Sequence, residues 1–97
     1  MKTILKLSVM ACAIFLLIAM KSNRKRVVFF GDSITQGGVK GNGYINMLKK
    51  QVDTNKFELI GAGIGGNKVY DLYLRLEDDV LSKKPDLVFI YVGINDV

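Results

Sequence analysis

The chain has 97 residues, hydrophobic residues at 49% of positions and a formal net charge of +5, which allows at most one small domain. It has one cysteine and no histidine, so these residues cannot build a disulfide framework, a cysteine or histidine metal site, or the usual general base of serine catalysis. Six of the 14 basic residues (Lys2, Lys6, Lys21, Arg24, Lys25 and Arg26) precede Val27 with no acidic residue among them, while the other eight are set against nine acidic ones; a basic face that tracks nucleic-acid phosphates is therefore not expected.

The basic balance belongs to a leader. Met1 to Lys6 is short and basic, Leu7 to Met20 is apolar apart from Ser8, and Lys21 to Arg26 is basic again. An apolar run of this length fits the core of an export signal and is short for a full membrane span. With Ile4 and Leu5 included and Lys6 snorkelling, a thin span over residues 4–20 is the alternative, and a buried core helix is the third. Ala19, Met20 and Ser22 offer no clean small-x-small cleavage site. The run stays apolar after Cys12, which argues against a lipoprotein signal there. The expected organisation is an export signal or membrane anchor over 1–21, a basic linker over 22–26, and a domain from 27 to 97.

In the domain, Val27–Phe30 is a continuous β-branched and aromatic run ending at Gly31, the pattern of a strand buried on both faces. Gly31–Gly43 holds five glycines and reads as a loop. Tyr44, Ile45, Leu48 and Val52 repeat at helical spacing. Phe57–Ile60 reads as a second short strand, followed by the glycine cluster Gly61–Gly66. Val69, Leu72, Tyr73, Leu76 and Val80 mark a second amphipathic helix, and Pro85 ends that region. Leu87–Val92 reads as a third buried strand closed by Gly93. Short connections and right-handed crossovers make this β-loop-α-β-loop-α-β order a parallel α/β sheet with covering helices. Ligands in such sheets bind outside the carboxyl ends of the strands.

Three loops lie at those ends. Gly31-Asp32-Ser33-Ile34-Thr35-Gln36-Gly37 presents Ser33 directly after a strand and a tight turn, where a hydroxyl lies beside free N–H groups. A lone serine there also serves simply to cap the next turn, and Asp32 is expected to hold the turn through local hydrogen bonds. Gly61-Ala62-Gly63-Ile64-Gly65-Gly66-Asn67 lets a backbone N–H approach a ligand with no side chain in the way. Its Gly61-x-Gly63-x-x-Gly66 spacing also matches a dinucleotide fingerprint. That fingerprint needs an acidic residue at the end of the next strand, and Asp86 precedes its strand. Gly93-Ile94-Asn95-Asp96 offers a side-chain amide with two donors, or on its own an Asx turn.

Taken together and in this order, Gly-Asp-Ser-x-Thr-x-Gly, a glycine-rich loop and Gly-x-Asn-Asp strongly resemble the blocks of the SGNH/GDSL hydrolases, from about Val27 to Val97. The resemblance implies a three-layer α/β/α flavodoxin-like fold with a parallel sheet, of which only the first three strands are present, with the first strand between the second and third. It implies Ser33 as nucleophile, Gly66 as oxyanion-hole glycine (Gly65 being the alternative) and Asn95 as oxyanion-hole asparagine. It implies a serine ester hydrolase on a small-molecule or glycan ester, such as a carbohydrate acetylesterase or a lysophospholipase-like enzyme, with no metal or organic cofactor. The family's Asp-x-x-His block has no counterpart in these residues. The chain is therefore expected to be the N-terminal part of a longer enzyme and inactive by itself. A non-catalytic carbohydrate-binding module of the same fold is the alternative. Export, or anchoring through the N-terminus, is expected from the leader; the oligomeric state is left open.

Overall fold

The computed structural model describes residues 2–12 and 23–97 in full and the backbone of residues 13–21. The first element is helix α1 (Lys2–Lys21), on which Ile4, Leu5, Leu7, Val9 and Met10 are exposed. Among the described residues, no helix is long and apolar enough to cross a membrane. The export-signal or anchor expectation rests largely on residues 13–22, whose side chains lie outside the described residues.

The body is a sheet of three parallel strands, β1 (Lys25–Gly31), β2 (Phe57–Gly63) and β3 (Leu87–Tyr91), in the order β2-β1-β3. The register places Gly31 beside Gly63 on one side and Tyr91 on the other, so all three strands end at one edge. Alternation along β1 supplies a core to each face. Val27 and Phe29 pack with Ile45 of α3 (Tyr44–Gln51), while Val28 and Phe30 pack with Leu72 of α4 (Val69–Asp79) and with Ala62 and Val80. Burying a Val, Ile or Phe side chain completely stabilises by about 1.5–3 kcal/mol, and Val28 and Ile45 are wholly inaccessible. The central strand is therefore the most strongly fixed element. One crossover runs from β1 to β2 and the next returns from β2 past β1 to β3, and a pocket lined by Asp32, Ile34, Tyr91 and Gly93 lies at the carboxyl ends of β1 and β3.

Three features differ from the sequence expectation. The region after Gly31 is not all loop: Ser33–Gly38 is a short helix, α2, capped by Asp32 and pinned by buried Thr35. The second strand runs on through Gly61 and Gly63, because those glycines admit a close neighbour rather than break the strand. A Cβ on Gly63 would collide with backbone atoms of Thr35 and Gln36, so glycine there lets α2 lie directly on β2. The third strand is exposed at Leu87, Phe89, Ile90 and Tyr91 instead of buried on both faces. It pairs with β1 alone among the described residues, and its outer edge lacks cover. Phe89 still stacks on Phe29, with ring centroids 5.4 Å apart and an interplanar angle of 8°.

Candidate active site

Ser33 is the first residue of α2 and is exposed. The N–H groups of a helix's first turn have no intrahelical partner, and one of them is satisfied locally: Ile34 N–H donates to Asp32 Oδ1 at 3.0 Å. Asp32 is only 1% exposed, so its carboxylate is committed to this turn, in agreement with the structural role expected of it. Below it, Thr35 Oγ1 and Tyr44 Oη lie 2.8 Å apart, which ties α2 to α3. The nucleophile candidate therefore stands on a turn held from inside while its own side chain faces outward.

Gly66 lies in the turn after β2 with φ +77°, and a Cβ there would meet nothing within 4 Å. Its glycine is required by backbone conformation, not by crowding. The preceding Gly65 N–H is already occupied, donating to Gln36 Oε1 of α2 at 2.9 Å. That bond distinguishes the two glycines: Gly65 stitches the second loop to the first, and Gly66 is the residue that follows it in the turn. The loops are close, since a Cβ built on Gly65 would lie 3.8 Å from Ser33 Cβ.

Asn95 occupies a 3₁₀ turn, Ile94–Asp96, after β3. Its Nδ2 donates to the backbone carbonyl of Asn67 at 3.0 Å. Asp96 accepts from Val69 N–H at 3.2 and 3.3 Å through its two oxygens, and Asp71 accepts from Lys68 N–H at 2.8 Å. Both carboxylates hold the N-terminus of α4, where the helix dipole favours negative charge. The loops that carry the three candidate residues are thus linked at one corner of the sheet through a chain of neighbours: Ser33 lies beside Gly65, Gly66 follows it, and Asn67, next in sequence, anchors Asn95.

The dinucleotide alternative loses its acidic residue on geometry. Asp86 accepts from Arg26 N–H at 2.7 Å and returns its own N–H to the Arg26 carbonyl at 2.8 Å. It therefore sits at the amino end of β3, across the sheet from the glycine loop.

Sequence reasoning missed Arg75. Its side chain is 14% exposed and sits under the corner just described. It is the single base in α4 among four acidic residues, and it falls between the core positions Leu72 and Leu76. A charge in that place was the available signal.

Comparisons with known proteins converge on one family. A family model described as GDSL-like Lipase/Acylhydrolase family matches residues 29–97. Among curated proteins, an acetylxylan esterase of Geobacillus stearothermophilus is 36% identical over 88 residues, covering 75% of this chain and 40% of the relative. The uncharacterized lipoprotein YqeF of Bacillus subtilis (strain 168) is 39% identical over 77 residues, covering 72% of this chain and 31% of the relative. The crystal structure of the acetyl xylan esterase AlAXEase matches with a TM-score of 0.70 at 64% identity, over 74% of this chain and 38% of that one. A lipase/acylhydrolase from Enterococcus faecalis matches with a TM-score of 0.65 at 33% identity, over 74% of this chain and 40% of that one. The chain thus spans well under half the length of each of these relatives.

Proposed function

The chain belongs to the GDSL-like lipase/acylhydrolase family, and from that premise we propose that the protein it forms is a serine ester hydrolase that removes acetyl groups from a glycan. Ester hydrolysis is supported at the level of the family, and the acetyl-glycan substrate by relatives that are acetylxylan esterases. Ser33 Oγ attacks the ester carbonyl. The backbone N–H groups of Ser33 and Gly66 and the Asn95 amide receive the negative charge that develops on the carbonyl oxygen. Each such donor is typically worth about 2.7–4 kcal/mol in the transition state. The sugar hydroxyl leaves with a proton, the acetyl group stays on Ser33, and water then releases acetate. A base must accept the Ser33 proton, and no histidine occurs in these 97 residues. We assign that base, with the carboxylate that orients it, to a part of the enzyme outside them. The leader is assigned to export or to anchoring at the membrane, a reading favoured by a relative that is a lipoprotein.

The observation that carries this reading is the shared corner. Ser33 abuts the Gly65-Gly66 turn, and the same turn's Asn67 holds the Asn95 amide. In the full-length protein, hydrolysis of p-nitrophenyl acetate and release of acetate from acetylated xylan should fall by about 10⁶ in Ser33→Ala, as on loss of a serine nucleophile. Full activity in that variant would remove the nucleophile assignment. Binding of acetylated xylan without any turnover would instead identify a glycan-binding module of the same fold.

A further inference from the structure

We propose that Arg75 is the positioning residue of this site, holding the three loops that carry Ser33, Gly66 and Asn95 in one geometry from beneath; the proposal rests on the esterase reading above. The guanidinium donates through Nη2 to the Gly31 carbonyl at 2.8 Å and through Nη1 to the Ala62 carbonyl at 3.0 Å. Gly31 and Ala62 are at the carboxyl ends of β1 and β2. Nε donates to Asn67 Oδ1 at 2.8 Å, and the Asn67 carbonyl in turn takes the Asn95 amide. One side chain thus touches the strand that delivers Ser33, the strand that delivers Gly66, and the residue that fixes Asn95.

The physical case rests on what a guanidinium can do and an ammonium cannot. Its five N–H donors form a planar, rigid fork that satisfies several acceptors in fixed relative positions. The positive charge is compensated by Asp79, one helical turn on, whose Oδ2 accepts from Nη1 at 2.9 Å. The fork also lies over the Phe30 ring, 4.6 Å from its centroid, so its plane is held on both counts. A residue that merely tied α4 to the sheet would need the strand carbonyls only. The third bond, to Asn67, adds nothing to that packing and reaches the loop from which Asn95 is suspended.

The alternative is a structural stitch, and kinetics separate the two. In the full-length protein, Arg75→Gln, Arg75→Lys, Asn67→Ala and the Arg75→Gln/Asn67→Ala double variant are compared with Ser33→Ala, using p-nitrophenyl acetate and thermal melting. A misplacement of about 1 Å in a catalytic group costs on the order of 10² in rate. We therefore expect kcat to fall by about 10–100-fold in Arg75→Gln and in Asn67→Ala, with KM changed less than about threefold, and the double variant to be no slower than Arg75→Gln. Asn67→Ala keeps the strand contacts of Arg75, so its melting temperature should be unchanged and its kcat still lowered. Arg75→Lys retains the charge without the fork and should remain impaired. Unchanged kcat in folded Arg75→Gln or in Asn67→Ala, full activity in Arg75→Lys, or losses that multiply in the double variant would overturn the proposal. If Arg75→Gln does not fold, Asn67→Ala alone decides. Activity retained in Ser33→Ala would instead remove the nucleophile assignment of the proposed function, and the Arg75–Asn67 coupling is judged separately by its own cycle.

Discussion

Asn95 and Asn67, 28 positions apart in sequence, are joined by a bond from the Asn95 side-chain amide to the Asn67 backbone carbonyl at 3.0 Å. A side-chain amide carries two N–H donors. One is spent on Asn67, which sets the plane of the amide, and the other is the donor that the proposed mechanism assigns to the oxyanion. The second loop therefore orients a donor that belongs to the third.

Asn95→Ala in the full-length enzyme should lower kcat by about 10²–10³, as on removal of one oxyanion donor, with KM little changed. Asn95→Asp should be at least as impaired, because a carboxylate cannot donate and would repel both the Asn67 carbonyl and a developing oxyanion. Steady-state kinetics on p-nitrophenyl acetate make the check. A change confined to KM would mean that Asn95 meets only the ground state.

Gly63, the last residue of β2, and Gly66, in the turn that follows, should respond to different degrees and for different reasons. Gly66 has a positive φ and open space around it, so Gly66→Ala should cost only the left-handed backbone penalty, about 1–2 kcal/mol, while lowering kcat through displacement of its N–H. Gly63 is crowded by the backbone of α2, with Asp32 O 2.7 Å from where a Cβ would lie. Gly63→Ala should therefore destabilise by about 1–3 kcal/mol or more, as overpacking does. Denaturant melts of both variants test this; equal stability losses would show that α2 does not press on β2 as described.

Residues 23–97 expressed alone should associate and should not hydrolyse esters. Leu87, Phe89, Ile90 and Tyr91 are exposed on β3, and an open apolar strand edge invites further pairing. On the α3 face an apolar groove of about 560 Å³ is lined by Phe29, Leu48, Leu59, Leu87, Phe89 and Tyr91. Size-exclusion chromatography and circular dichroism melting should show aggregation or a broad transition, relieved in part by Ile90→Lys. A monomer with a cooperative melt would contradict the first half. Turnover that disappears in Ser33→Ala would contradict the assignment of the base to residues elsewhere in the enzyme.

The leader should direct export. A fusion of residues 1–26 to a reporter that works only outside the cytoplasm should be active in a bacterial host, with the protein recovered in the membrane fraction if the segment anchors and in the soluble fraction if it is cleaved. A silent external reporter beside an active cytoplasmic one would end that assignment.

Local pattern determined much of this protein by itself. Val27–Phe30, Phe57–Ile60 and Leu87–Val92 are short, largely apolar runs each closed by a glycine, wholly β-branched and aromatic in the first and mostly so in the third, and strand preference is written in such neighbours. The helical repeat from Val69 to Val80 is equally local. Because βαβ units wind with one hand, those elements alone bring the loops bearing Ser33, Gly66 and Asn95 to one edge. What tertiary structure decided is which polar groups find each other there. Nothing near Arg75 in sequence announces that its fork meets Gly31, Ala62 and Asn67, 44, 13 and 8 positions away. Glycines that read as loop at Gly61 and Gly63 are strand because α2 and Val39 come close to them, a contact that exists only in the folded chain. The exposure of β3 likewise follows from its place at the edge of the sheet, since burial depends on what lies alongside a strand, whereas hydrophobic pattern depends only on the strand itself.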